Sequence, residues 1–277
     1  MEQKKIAILG GGNLGTAIAQ GVVKAKMASS SDITITRRNL TKISHLRKEG
    51  FKLSTDNGLS VTNATLIILC VQPKQLVGLL SEINSSLDPK KHIVVSTITG
   101  ITTDEIASHL QNKIPIVRAM PNTAIAIGSS MTCLCAKDAN EKQLSEIRNL
   151  FDGLGVTLVI EERLMKAATV LAASGIAFFM RYIRAATQGG IQLGFDAEEA
   201  QLIAAQTAKG AASLLLSQET HPEIEIDKVT TPEGCTIAGL NEMEHQGLSS
   251  ALMFHLIKTC DGASFRRCHF INFNFRM

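Results

Sequence analysis

The stretch GGGNLG, residues 10–15, lies between an apolar run, Lys4–Leu9, and a segment of helical periodicity, Leu14–Lys26. Gly10 permits a tight turn, Gly12 lets the backbone approach a phosphate closely, and Gly15 allows the helix to pack closely on the strand. Free N–H groups at the start of such a helix attract phosphates. The stretch therefore predicts a dinucleotide-binding turn, with a ligand-free glycine turn as the alternative.

Short apolar runs alternate with helical segments as far as about residue 160. Strands are predicted at Lys4–Leu9, Ile33–Arg37, Leu66–Val71, Ile93–Thr97, Ile116–Ala119, Met131–Cys135 and Thr157–Ile160. Helices are predicted at Leu14–Lys26, Leu40–Lys48, Lys74–Ile83, Thr103–Leu110 and Glu141–Leu150. Strands separated by helices of this length require right-handed crossovers. The pattern predicts an α/β, Rossmann-like dinucleotide-binding domain with a mostly parallel sheet over residues 1–160.

Alanine-rich helical sequence replaces the strands after Ile160. Asp196, with Glu199 three residues later, resembles a capping box at the start of a long helix, and the apolar residues that follow recur at helical spacing. This half is too short and too apolar to cover its own helices, which favours association with another copy. The sequence predicts an all-α C-terminal dimerisation domain over residues 161–277.

Composition excludes several classes of protein. The 277 residues are 45% hydrophobic and 19% charged, with a formal net charge of +3, ten Phe, one Tyr and no Trp. These values argue against intrinsic disorder and against a nucleic-acid partner. The longest strongly apolar stretch, Ala167–Met180, is shorter than the about 20 residues of a membrane helix. With no signal-peptide pattern and no CxxC pair, we expect a cytoplasmic protein without a membrane partner or metal site.

The end of the second predicted strand carries basic side chains. An NAD-selective site would place Asp or Glu here to bind the ribose 2′-hydroxyl. The sequence has Arg37 and Arg38 flanked by Thr36 and Asn39, groups suited to a 2′-phosphate. Two solvated surface arginines are the alternative. The pattern favours NADP(H) as the cofactor, with NAD(H) still possible.

Three further turns follow carboxyl ends of predicted strands: CVQPK at residues 70–74, TITG at 97–100 and MPNT at 120–123. Such turns line the ligand crevice of an open parallel sheet, although each one alone is compatible with an ordinary loop. A fourth motif, VTTPEGCTIAGL at residues 229–240, predicts a helix that starts at Cys235 or Thr236. Free amides there would accept a substrate carboxylate, and the Thr236 hydroxyl would reach a reacting nitrogen. A plain N-capped helix is the alternative.

Four segments together resemble the pyrroline-5-carboxylate reductase family: IAILGGGNLG (6–15), HIVVSTITGIT (92–102), RAMPNTA (118–124) and VTTPEGCTIAGL (229–240). The resemblance runs from about residue 4 to about residue 253. It implies NADPH-dependent reduction of 1-pyrroline-5-carboxylate to L-proline, the final step of proline biosynthesis, by a homodimer or a larger ring of dimers. The alternatives are a reductase of another cyclic imine and a family-like NADP-binding protein with a regulatory role.

The resemblance also implies roles for individual residues. The pyrophosphate would be held by Leu9, Gly10, Gly11, Gly12, Asn13 and Leu14, with Gly15 completing the turn. The adenosine ribose or its phosphate would contact Thr36, Arg37, Arg38 and Asn39, with Asn57 nearby. The rest of the cofactor would be lined by Cys70, Val71, Gln72, Pro73, Thr97, Ile98 and Thr99, with Lys228 near the nicotinamide. Substrate contacts would come from Glu162, Gly234, Cys235 and Thr236. Thr236 would donate a hydrogen bond to the imine nitrogen, so that catalysis rests on orientation.

The sequence departs from the family pattern at several positions. A Ser-Gly-Ser-Gly-Pro-Ala segment of the family reads AASGIA here, at residues 172–177. Pro-Gly-Gly has become Pro232-Glu233-Gly234, which places an anion beside the expected carboxylate pocket unless the side chain points outward. The tail after Leu256 matches nothing in the family, and FNF at residues 273–275 alternates like a strand.

Overall fold

The computed structural model describes residues 4–262 and contains an eight-stranded sheet within them. Its strands are β1 (Ile6–Leu9), β2 (Ile33–Thr36), β3 (Lys52–Ser54), β4 (Leu66–Leu69), β5 (Ile93–Ser96), β6 (Ile116–Met120), β7 (Ser130–Lys137) and β8 (Gly155–Val159). Their order is β3-β2-β1-β4-β5-β6-β7-β8. Neighbouring strands are parallel except β6 and β7, which are antiparallel. The predicted Rossmann-like α/β class is confirmed.

Helices connect these strands and follow the last of them. They are α1 (Asn13–Lys24), α2 (Asn57–Thr62), α3 (Leu76–Ile83), α4 (Thr103–Ser108), α5 (Glu141–Asp152) and α6 (Met165–Ala168), the last followed by a π-helical turn, Thr169–Ser174. Single 3₁₀ segments lie at Ser30–Asp32, Leu40–Arg47, Pro73–Gln75, Asn84–Ser86, Thr123–Ile127 and Glu162–Leu164. The α-helix predicted over Leu40–Lys48 is therefore a 3₁₀ helix, and β3 and α2 were not predicted.

Both faces of the sheet are covered by apolar side chains. Ile6 and Ile8 of β1 belong to one buried cluster, whereas Ala7 and Leu9 belong to a second cluster on the opposite face. A strand buried on both faces is apolar at every position, because no side chain points to water. This explains why β1, β4 and β5 read as uninterrupted apolar runs in the sequence.

The region from Gly175 onward is helical as far as the structure describes it. It contains α7 (Gly175–Gln192), α8 (Ala197–Gln218), α9 (Pro222–Val229), α10 (Cys235–His245) and α11 (Leu248–Gly262). The start of α10 at Cys235 agrees with the prediction. Asp196 is the N-cap residue of α8, but its side chain makes no capping hydrogen bond. The predicted capping box between Asp196 and Glu199 is therefore wrong.

The helical region buries little of its own surface. Gly175 and Ala200 are its only buried residues among those described, while Phe179 and Leu202 are each 70% exposed. One helical run, Glu162–Gln192, is long and apolar enough to cross a membrane by length and composition, a test that core helices of soluble proteins also pass. The apolar stretch measured in the sequence ended at the flanking charges Lys166 and Arg181, whereas the helix continues past both. The expectation that no helical segment is long enough to span a membrane is therefore wrong.

The chain divides into two compact units. The first, called the sheet unit below, ends at Ser174, and the second, the helical unit, spans Gly175–Asp261. The sheet itself ends at Val159, next to the domain boundary predicted after residue 160, which stays a prediction. The strand-like alternation at residues 273–275 lies outside the described residues.

Candidate functional site

The glycine turn after β1 is held between the ends of two neighbouring strands. The amides of Gly10 and Gly11 donate to the Thr36 carbonyl at 3.2 and 2.7 Å. Gly10 has φ +117°, and a Cβ there would lie 2.4 Å from the Cys70 carbonyl oxygen. A Cβ at Gly12, in contrast, would meet nothing within 4 Å. The turn is thus fixed against β2 and β4, while the backbone at Gly12 faces open space.

The start of α1 suits an anion. Gly12 is its N-cap residue and supplies no side-chain hydrogen bond, and the first turn contains no acidic residue. The first amides of a helix have no acceptor within the helix, and the helix dipole is positive at this end. The amides that begin at Asn13 are therefore free for a phosphate oxygen, and the residues present fit the pyrophosphate of a dinucleotide.

A cleft of about 760 Å³ opens beside this turn. Of the predicted cofactor residues, it is lined by Gly10, Gly11, Gly12, Thr36, Arg37, Arg38, Asn39, Asn57, Cys70, Val71 and Gln72. Predicted residues of the sheet unit that do not line it are Leu9, Asn13, Leu14, Gly15, Pro73, Thr97, Ile98 and Thr99. Lining residues that were not predicted are Lys42, Thr55, Lys74, Gln75, Gly78, Leu79 and Glu82. Part of the last set had a sequence signal, because Lys74 ends the CVQPK turn and Gly78 and Glu82 follow it at intervals of four residues.

The cleft lining is rich in cationic side chains: Arg37, Arg38, Lys42 and Lys74. The Arg37 guanidinium donates to the Gly11 carbonyl. Thr36 Oγ1 donates to Asn57 Oδ1 at 2.6 Å, and Asn57 Nδ2 donates to the Glu82 carboxylate. Four cations and one carboxylate leave the lining with a net positive charge, which favours the binding of a phosphate.

The lining of the cleft contains a thiol, that of Cys70, which directly follows β4. Cys70 is partly exposed there, yet the burial of its thiol raises the pKa to about 12, while a hydrogen bond from Thr97 acts in the opposite direction. Thr97 Oγ1 also donates to the Leu69 carbonyl at 2.9 Å and so fixes the end of β4 to β5. Cys70 is therefore a wall residue without nucleophilic character at neutral pH.

Glu162 lies outside the cleft lining and binds other residues of the sheet unit. Its carboxylate accepts from the Thr103 amide at 2.7 Å, the Thr103 hydroxyl at 2.5 Å and Arg118 Nη1 at 2.8 Å. Burial acts to raise the pKa of Glu162, but the hydrogen bonds from Thr103 and Arg118 outweigh it and hold the pKa below its ordinary value. The Arg118 side chain is buried, and its Nε has no hydrogen-bond partner among the described residues. Glu162 thus ties the start of α4 to β6, and its predicted substrate contact stays a prediction.

The VTTPEGCTIAGL motif forms a tight turn before α10. Glu233 is exposed and adopts a left-handed conformation with φ +59°. A Cβ at Gly234 would lie 2.4 Å from the Thr231 hydroxyl oxygen, so a larger residue there would force Thr231 to shift. Gly234 caps α10 without a side-chain hydrogen bond, and the first turn has no acidic residue. The amides that begin at Cys235 can therefore donate hydrogen bonds to a carboxylate.

Lys228 lies in the last turn of α9 and is paired within the helix. Its Nζ is 2.7 Å from Glu225 Oε1, which also accepts from the Thr220 hydroxyl at 2.7 Å. These two donors, Lys228 foremost, hold the pKa of Glu225 below its ordinary value. The predicted position of Lys228 near a nicotinamide is not tested by these contacts and stays a prediction.

A glycine turn at the crevice between parallel strands, with cationic side chains in the cleft beside it, defines the class of dinucleotide-binding proteins. Residues 5–100 match the family model described as NADP oxidoreductase, coenzyme F420-dependent. Residues 162–264 match the family model for pyrroline-5-carboxylate reductase dimerisation. The match extends past Leu256, so the expectation that the tail matches nothing in the family is wrong for residues 257–264.

Similarity to individual proteins extends over nearly the whole chain. Pyrroline-5-carboxylate reductase 2 of Dictyostelium discoideum is 46% identical over 94% of this chain and 92% of its own length. Pyrroline-5-carboxylate reductase 1 of the same organism is 48% identical over 94% of this chain, which spans only about half (49%) of that relative's length. A solved pyrroline-5-carboxylate reductase of Coxiella burnetii aligns with a TM-score of 0.87 at 28% identity, covering 95% and 98% of the two chains. The chain belongs to the pyrroline-5-carboxylate reductase family, which confirms the resemblance.

Proposed function

We propose that this chain is an NADP(H)-dependent oxidoreductase that reduces 1-pyrroline-5-carboxylate to L-proline, the final step of proline biosynthesis. The observation that carries the proposal is the glycine turn between β1 and α1, which opens on a cleft lined by cationic side chains. The relatives that cover this chain almost completely are named for the same reaction.

The sheet unit binds the cofactor. When bound, NADPH supplies the hydride for the reduction. The amides that begin at Asn13 hold the pyrophosphate, and Arg37 and Arg38 hold the 2′-phosphate. NADPH should therefore give a higher kcat/KM than NADH, and equal values would remove the role assigned to the two arginines.

The motif before α10 binds the substrate. The amides at Cys235 and after it donate hydrogen bonds to the carboxylate of the imine, and the Thr236 hydroxyl donates a hydrogen bond to the ring nitrogen. Because the cyclic imine is already reactive, these residues need only to orient it and to stabilise charge at its nitrogen. Gly234 is part of this site because a larger residue would collide with Thr231.

An assay of the purified chain with 1-pyrroline-5-carboxylate tests the proposal. NADPH should be oxidised in step with proline formation, and Thr236→Ala should lower kcat/KM on the order of 100-fold, as is typical for loss of one hydrogen-bond donor at a reacting atom. Thr62→Ala is the control, because Thr62 is exposed on α2 and, among the described residues, its hydroxyl bonds only to the Gly58 carbonyl of its own helix.

Two outcomes would favour the alternatives. If NADPH binds and no imine is reduced, the chain is a family-like NADP-binding protein with a regulatory role. If a different cyclic imine is reduced with a much higher kcat/KM, the reaction class stands and the substrate changes.

We further propose that the chain is a soluble cytoplasmic protein that forms homodimers through its helical unit, and that the dimers assemble into a larger ring. The match of residues 162–264 to a dimerisation model supports association of like chains. The exposed apolar side chains of α7 and α8 support it independently, since a second copy would cover them. Contact with a second copy also accounts for the length and apolar character of the helical run Glu162–Gln192.

A further inference from the structure

The lining of the cleft contains one acidic side chain, Glu82. It is exposed on α3 and lines the cleft together with Gly78. Residues four apart share a helix face, and a Cβ at Gly78 would meet nothing within 4 Å, so this face of α3 borders open space. Within residues 4–262 no lysine or arginine forms an ion pair with Glu82. Its charge is therefore not neutralised by the chain itself.

A short hydrogen-bond network connects this carboxylate to the end of β2. The two Glu82 oxygens accept from Asn57 Nδ2 at 2.9 and 3.0 Å, and Asn57 Oδ1 accepts from Thr36 Oγ1 at 2.6 Å. Thr36 immediately precedes Arg37 in the chain. The network orients the Asn57 amide, because its nitrogen is directed at Glu82 and its oxygen at Thr36.

We propose that Glu82 is a specificity-determining residue that sets discrimination at the ribose 2′ position. Its charge repels a 2′-phosphate, and it occupies the Asn57 amide nitrogen, which otherwise can donate to that phosphate. Arg37 and Arg38 act in the opposite direction. NAD-selective sites carry their acidic residue at the end of β2; here the carboxylate comes from α3, on another wall of the same cleft, and limits the preference that the arginines create.

This inference rests on the proposed use of NADP(H), and its test is a binding measurement that does not depend on turnover. Isothermal titration calorimetry on the full chain gives the dissociation constants of 2′,5′-ADP and 5′-AMP, which differ only in the 2′-phosphate. Glu82→Gln should raise the preference for 2′,5′-ADP over 5′-AMP by about 3- to 10-fold at low ionic strength. Most of the gain should disappear near 1 M salt, where the Debye length is about 3 Å.

Glu49→Gln is the matched control. Glu49 is also exposed and also accepts two hydrogen bonds from a side-chain amide, that of Gln20 at 3.0 and 3.3 Å, but it does not line the cleft. The ratio of the 5′-AMP and 2′,5′-ADP dissociation constants in this variant should equal that of the wild type. A ratio in Glu82→Gln within twofold of the wild type overturns the inference, as does an equal shift in Glu49→Gln. If the wild type binds neither nucleotide, the proposed function itself fails.

Discussion

In the sheet unit all four residues of β1 and of β4 are buried, whereas the helical unit buries only Gly175 and Ala200 among its described residues. Both units are rich in apolar side chains, so composition does not cause the difference. A sheet covered on both faces completes its own core, while the exposed Phe179 and Leu202 have no partner layer within their unit. The comparison shows that the sheet unit covers its apolar side chains with its own layers, whereas the helical unit leaves apolar side chains exposed that a second copy could cover.

The largest expected effect is on association. Leu202→Glu places a charge on α8, at a side chain that is 70% exposed. If a second copy covers this surface, burial of an unpaired charge costs about 4 kcal/mol, which weakens dimerisation on the order of 1000-fold. Sedimentation velocity across a range of protein concentrations measures the dissociation constant of the dimer.

The sheet unit supplies the control for this substitution. Leu59 of α2 is 59% exposed, and Leu59→Glu should leave the sedimentation coefficient and the unfolding midpoint unchanged, because a surface substitution away from an interface costs little. A second variant, Phe179→Glu, tests the exposed surface of α7 in the same way. Dimers that persist in both Phe179→Glu and Leu202→Glu would show that α7 and α8 do not form the interface.

An intermediate effect is expected inside the sheet unit. Glu162→Gln removes the charge that faces the buried Arg118 and should lower the free energy of unfolding by about 2 kcal/mol at neutral pH. The pKa of Glu162 in the folded chain is below its ordinary 4.5, so its stabilisation is complete above about pH 4.5 and is lost as the pH falls through the folded-state pKa. The difference between wild type and variant should therefore shrink in acid. Urea unfolding at several pH values measures it.

Glu161→Gln is the matched control for this prediction. Glu161 pairs with Arg163 at 2.5 Å, but both side chains are about 70% exposed, and such pairs contribute less than about 1 kcal/mol. Equal losses of stability in the Glu161 and Glu162 variants would show that the contacts of Glu162 with Thr103 and Arg118 do not stabilise the fold.

The smallest effect is expected at the turn before α10. Glu233→Gly relieves a left-handed conformation and removes an anion next to the proposed carboxylate site, so KM for the imine should fall about 2- to 3-fold, with a stability gain below about 1 kcal/mol. Lys26→Gly, at φ +57° in the sheet unit, should give a comparable stability gain with unchanged KM. An unchanged KM in Glu233→Gly would mean that the carboxylate of Glu233 is directed away from the substrate.

The sequence predicted the elements whose side chains report burial directly. β1 and β4 are apolar at every position because both of their faces are covered, and the glycine turn is encoded locally. β3 and α2 were missed because they have three and six residues and are partly exposed, which leaves no periodic signal. The remaining parts of the site depend on tertiary packing. Glu82, for example, lines the cleft from α3 and accepts a hydrogen bond from Asn57, 25 residues earlier in the chain.

The membrane-length helix has a consequence for the life of a new chain. Until a second copy covers it, the run Glu162–Gln192 leaves apolar side chains such as Phe179 exposed, and exposed apolar surface favours aggregation. A new chain therefore matures by association, and the completeness of that step depends on the concentration of the chain.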